Sequence, residues 1–145
     1  MKSQLSQVEK IEIISLQDNY IDITASDDSA IIHRAEPLNE QEMRTSILAE
    51  HGFSSMISMV NDNQVRSMIL DFGFSEFGAA RNAKLLGVDF STVELFALSH
   101  GHSDHTGGLE TMVKAINKKR IPFVYHPDIQ NPNRYVQTSA SSKLR

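Results

Sequence analysis

The apolar positions of this chain change period along its length. Residues 11–16, IEIISL, are rich in β-branched side chains and predict a strand. The interval 19–48 is dense in Asp, Ser, Asn and Pro and predicts an irregular connection or flap. FSSMISMV at 53–60 predicts a strand, NDN at 61–63 a tight turn, and QVRSMILDFG at 64–73 the hairpin partner. Ser75 is placed to cap a helix running to about Leu86, with Gly87 as its stop. FSTVELFALS contains a buried strand over Leu95 to Leu98. In GGLETMVKAINKK, residues Leu109, Met112, Val113 and Ile116 recur at helical spacing. IPFVYHP at 121–127 predicts a last strand closed by Pro127, and the polar stretch after it shows no period. A hairpin followed by alternating helices and strands argues for an α/β layer architecture.

Composition narrows the class. With 145 residues, 40% hydrophobic and 22% charged, the chain is expected to form one soluble globular domain. A net charge of −4 offers no general footprint for nucleic acid, and the basic run INKKR at 116–120 reads as a solvated helix end. There is no cysteine, so disulfides and thiolate metal sites are excluded and any metal must be held by nitrogen and oxygen. The first ten residues lack the apolar core of a signal peptide, and no apolar run reaches a membrane span. A cytoplasmic location with no membrane partner is the expectation.

The chemistry concentrates in ALSHGHSDHTGGLE. Three of the six histidines and one aspartate fall at His100, His102, Asp104 and His105. A shuffled chain of this composition would show His-x-His-x-Asp-His roughly 0.0006 times, so coincidence is a poor explanation. Metal-type ligands crowded at a strand end are the signature of a metal site. His100 and His102 are two apart and share a side of an extended segment, so they are placed to bind one ion. Asp104 and His105 follow as the chain turns into a helix and point to a second position. Imidazole and carboxylate suit Zn²⁺, and also Fe or Mn. Gly107 and Gly108 are read as letting the backbone approach the metals closely.

LSHGHSDHTGGL resembles the signature of the metallo-β-lactamase superfamily of metallohydrolases. The resemblance implies that His100 and His102 bind a first metal, that Asp104 and His105 bind a second, and that Asp71, in ILDFG, supports a ligating histidine from behind. It also implies two zinc ions in the complete site, with Fe or Mn as alternatives, and a metal-activated water attacking an ester, amide or phosphoester. Asp104 is then catalytic as well, orienting the proton of the nucleophile. AEHGFS at 49–54, residues 82–109 and YHPD at 125–128 are similar to one branch, that of dihydropterin and ribofuranosylaminobenzene phosphate synthases, which suggests a phosphorylated pterin-type small molecule as substrate. A di-iron redox relative would carry Glu in place of His102, so hydrolysis is favoured.

The family pattern continues with further ligands after the strand matching IPFVYHP, and no histidine follows His126 here. His126 is read as a strand-end or surface residue and His33 as a surface residue, while His51 is a candidate for the site mouth. The expectation is a single incomplete domain over 1–145, with 1–10 and 136–145 disordered. It corresponds to the N-terminal half of an αββα sandwich: one mixed β-sheet with flanking helices. Half a sandwich leaves one sheet face bare, so a homo-oligomer or a partner chain is expected to cover it. Two readings therefore stand: a metal-dependent hydrolase, and a non-catalytic fragment that lacks the later ligands.

Overall fold

The structure, a computed structural model, describes residues 7–22, 24–26, 28–34, 46–131, 136–139 and 142–144. β1 (Lys10–Gln17), β2 (Ser54–Asn61), β3 (Gln64–Leu70), β4 (Val93–Ala97) and β5 (Phe123–Val124) form one sheet in sequential order. β1–β2 and β2–β3 are antiparallel, and β3–β4 and β4–β5 are parallel. Helix α1 (Gly78–Leu85) makes the first parallel crossover. The short helix α2 (Ser103–Thr106) and α3 (Leu109–Ile116) make the second. This is an α/β protein with one mixed sheet and flanking helices, as the sequence pattern predicts.

The β2–β3 turn falls where expected. Asp62 and Asn63 both take positive φ, 48° and 62°, between the paired residues Asn61 and Gln64. Such a primed two-residue turn matches the twist of the strands it joins.

Cross-strand register sorts the side chains onto two faces. Ile14, Met56, Ile69, Phe96 and Phe123 align across the sheet on the helix-covered face. There Ile69 and Phe96 are buried against Ala79 and Ala83 of α1 and Met112 and Ile116 of α3. Phe72, Phe96 and Phe123 meet edge to face at 5.6–6.3 Å. Each such pair adds about 0.5–1.5 kcal/mol beyond burial. Asn82 of α1 is buried and donates through Nδ2 to the carbonyls of Leu16 and Leu48, both at 2.8 Å, while its Oδ1 accepts from Leu48 N. One amide thereby ties helix, strand and connection together. The opposite face carries Ile11, Ile13, Ile57, Met59, Met68 and Leu95, and Ile13 is 67% exposed. On this face Ile11, Ile13 and Met59 are exposed, and Ile57, Met68 and Leu95 are half-buried.

Several boundaries differ from expectation. β3 stops at Leu70 because Asp71 turns to φ +58°. α1 starts at Gly78, since Ser75 Oγ accepts from Gly78 N in a preceding turn and also donates to Glu50. The expected helix over 107–119 is shortened to α3, which ends before Asn117 at φ +50°, and a further short helix, α2, precedes it over the motif itself. Lys118, read as part of a solvated helix end, instead donates to the carbonyls of Ser91 and Val93. The last strand shrinks to Phe123–Val124. The connection over 19–48 holds no helix or strand among its described residues, and 35–45 lie outside them. Of the ends expected to be disordered, 1–6, 140, 141 and 145 lie outside the described residues, while Lys10 opens β1 and Val136–Ser139 pairs with Ser142–Leu144.

Candidate metal centre

The motif sits at the carboxyl end of β4, where parallel strands deliver their following loops. Backbone bonds weld that loop to its neighbours. Asp71 N donates to Ala97 O, Phe72 N to His105 O, Gly107 N to Gly73 O, and Phe53 N to Asp104 O. The approach is so close that a Cβ on Gly107 would overlap the Phe74 carbonyl, and one on Gly108 the Phe72 carbonyl. The sequence reading assigned these glycines to close approach toward metals. Their contact is with the backbone after β3, and its effect is to seat α2 against residues 72–74.

Asp71 organises the centre. It is 1% exposed, and its Oδ1 accepts from Ser99 N at 2.8 Å. Its Oδ2 accepts from Ser99 Oγ at 2.6 Å and lies 2.7 Å from His105 Nδ1. A carboxylate can only accept, so His105 carries its proton on Nδ1 and leaves Nε2 with a free lone pair. That Nε2 is 3.3 Å from Asp104 Oδ2. Ser99 Oγ also lies 2.9 Å from His100 Nδ1, and His100 Nε2 is 3.1 Å from His102 Nδ1. The rings of His100 and His105 approach to 4.1 Å between centroids.

His100, Asp104 and His105 each offer a ligand atom, all within 4.8 Å of one another. His100 lies beside His102, and His105 beside Asp104, as paired in the sequence reading, and His100 also comes within reach of the Asp104–His105 pair. His100 joins Asp104 and His105, while the more exposed His102 stands beside His100 and outside that trio. Chain geometry explains this, because His102 is the N-cap of α2 and the helix turns His105 back under His100. Two imidazoles and a carboxylate are a fitting donor set for a divalent ion. The 3.3 Å between His105 Nε2 and Asp104 Oδ2 is a separation that two ligands with bonds of about 2.0–2.2 Å to one ion would have.

Sequence reasoning missed Ser99 and Asn19. Ser99 supplies both donors to Asp71, and its position directly before His100 was the available signal. Asn19 Oδ1 accepts from Gly52 N at 3.0 Å and lies 3.2 Å from His51 Nδ1. It is 32 residues away from His51, and no local pattern could have shown that. His51 Nε2 in turn lies 3.4 Å from Asp104 Oδ2, at the edge of the centre. His33 and His126 are exposed, and His126 Nδ1 accepts from Asp128 N. A cavity of about 570 Å³ lies elsewhere, between β1 and residues 18–34, with Leu16, Ile21 and Ile47 in its wall. No helix among the described residues is long and apolar enough to cross a membrane.

No family model matches the chain. Over 81 residues, 56% of its length, it is 35% identical to the 7,8-dihydropterin-6-methyl-4-(beta-D-ribofuranosyl)-aminobenzene-5'-phosphate synthase of Methanocaldococcus jannaschii. It spans about a quarter, 27%, of that protein's length. Among solved structures it is similar to the Rm3 metallo-beta-lactamase, with 28% identity and a TM-score of 0.37, covering 49% of this chain and 26% of that one. The sequence match agrees with the branch that the motifs resemble: this chain is similar to part of a dihydropterin and ribofuranosylaminobenzene phosphate synthase.

Proposed function

We propose that the chain contributes the metal-binding core of a metal-dependent hydrolase, with zinc as the first choice of ion. The observation that carries this reading is the convergence of His100, Asp104 and His105, with Asp71 holding the His105 ring so that Nε2 faces Asp104. His102 adds a further imidazole through its contact with His100. When bound, a divalent ion at these donors lowers the pKa of water toward neutrality and polarises the bond under attack. Asp104 orients the attacking water and receives its proton at a carboxylate oxygen. Ser99 and Asp71 keep the imidazoles in their ligand tautomer throughout. The substrate class that the synthase match suggests is a phosphorylated pterin-type small molecule, cleaved at an ester, amide or phosphoester. Elemental analysis after dialysis provides the test. Wild-type protein should retain zinc, and His102→Ala and Asp104→Ala should lose it together with hydrolysis of a generic phosphodiester. Unchanged zinc content in both variants would refute the ligand assignment.

A second reading, that the chain works only when further polypeptide covers it, is favoured by the apolar face formed by Ile11, Ile13, Ile57, Met59, Met68 and Leu95. In that reading a partner chain or a second copy buries this face and completes the ligand set. Sedimentation of the isolated chain separates the two: a stable, zinc-loaded monomer that hydrolyses substrate removes the need for a partner.

A further inference from the structure

We propose that His51 is a further metal ligand, binding the ion held by Asp104. The inference rests on the metal-centre reading above and adds to it a residue that lies 49 positions before the motif begins. It starts from a backbone group. Gly52 N points at the Asn19 side chain at 3.0 Å, and a backbone N–H can only donate. The atom facing it is therefore the amide oxygen, which settles the orientation of Asn19. His51 Nδ1 lies 3.2 Å from that same oxygen, so Nδ1 carries a proton. In the neutral ring the lone pair is then on Nε2, and Nε2 lies 3.4 Å from Asp104 Oδ2. Asp104 is mostly withdrawn from water, its side chain only 19% exposed. A cation shared by the two atoms, either a proton on Nε2 or a metal ion, offsets the repulsion between that lone pair and the carboxylate oxygen.

The distance itself points to what that is. Two ligands on a tetrahedral zinc ion with bonds of about 2.0–2.1 Å lie about 3.3–3.4 Å apart. The His51–Asp104 separation has that length, and so does the 3.3 Å separation between His105 Nε2 and Asp104 Oδ2. Asp104 Oδ2 is the atom common to both. Each flanking imidazole is backed by an acceptor on its Nδ1: Asp71 behind His105, and Asn19 behind His51. Pairing a ligating ring with an acceptor at its other nitrogen is the usual way a protein fixes ligand tautomer and orientation. His51 stands outside the tighter trio of His100, Asp104 and His105, and its ring is 71% exposed. The ring of Phe74 lies beside it, 6.1 Å away between centroids. His51 adds a further imidazole on the Asp104 side of the trio formed by His100, Asp104 and His105.

The experiment uses the full chain and Zn²⁺ alone. Zinc affinity is measured by competition with a chromophoric chelator, and the number of coordinating imidazoles by X-ray absorption. His51→Ala should weaken zinc binding by about tenfold or more and remove one imidazole from the coordination sphere, while Asn19→Ala should weaken it by about 10–100-fold with the imidazole count retained. His51→Gln, with folding checked by circular dichroism, guards against a folding artefact and should show the same loss as the alanine variant. His105→Ala tests the centre independently. If His105→Ala loses zinc but His51→Ala keeps wild-type affinity and imidazole count, His51 is only an ion-pair partner of Asp104 and the inference is overturned. If neither variant alters zinc binding, the metal-centre reading fails and this inference with it.

Discussion

Asp71→Asn isolates the role of one buried carboxylate with almost no change in shape. In the native chain Asp71 accepts three hydrogen bonds, from Ser99 N, Ser99 Oγ and His105 Nδ1, at 2.6–2.8 Å. An asparagine can keep its oxygen on Ser99 N, because that donor cannot reverse. Its NH₂ then faces Ser99 Oγ and His105 Nδ1. The serine hydroxyl can rotate to accept. The histidine can accept only by moving its proton to Nε2, which is the ligand atom. Zinc must then displace that proton or compete with a mismatched donor pair. Outer-shell substitutions of this kind cost about 10–100-fold in metal affinity, or about 1.4–2.7 kcal/mol. In the apo protein both partners can reverse, so what is lost is the charge assistance of these buried hydrogen bonds, about 1–3 kcal/mol of folding stability. The assay is zinc competition against a chelator, paired with urea unfolding of the apo protein. Wild-type affinity and wild-type stability in Asp71→Asn would show that the carboxylate does not set the His105 tautomer, and the account of the centre would fall.

Three further outcomes follow from the packing. Asn82→Leu strips the carbonyls of Leu16 and Leu48 and the amide of Leu48 of their partner, and should destabilise the fold by about 2–4 kcal/mol in denaturant unfolding. Gly107→Ala drives a methyl into the Phe74 carbonyl, so it should cost about 1–3 kcal/mol and lower zinc affinity as α2 lifts from the residues after β3. Ile13→Lys lies on the open sheet face, so it should leave the unfolding midpoint within about 0.5 kcal/mol of wild type while reducing self-association in sedimentation. A large loss of stability in that last variant would mean that the face is buried within the monomer.

Much of this protein was determined by the sequence alone. The β-branched run at 11–16, the hairpin around Asp62 and Asn63 and the helical spacing from Leu109 to Ile116 are local patterns, and local patterns survive in one dimension. The same is true of His100, His102, Asp104 and His105, whose crowding within six residues pointed to a candidate metal centre. What only the tertiary structure decided is which of these groups meet. His100 joins Asp104 and His105 because α2 turns the chain under the strand end. Asp71 reaches His105 across 34 positions because β3 and β4 lie side by side in parallel. Asn19 and His51 stand at the two ends of the connection between β1 and β2, which the antiparallel pairing of those strands brings together. Periodicity reports which face a residue occupies. Contacts between distant segments depend on strand order and on where the backbone turns, and those are properties of the folded whole.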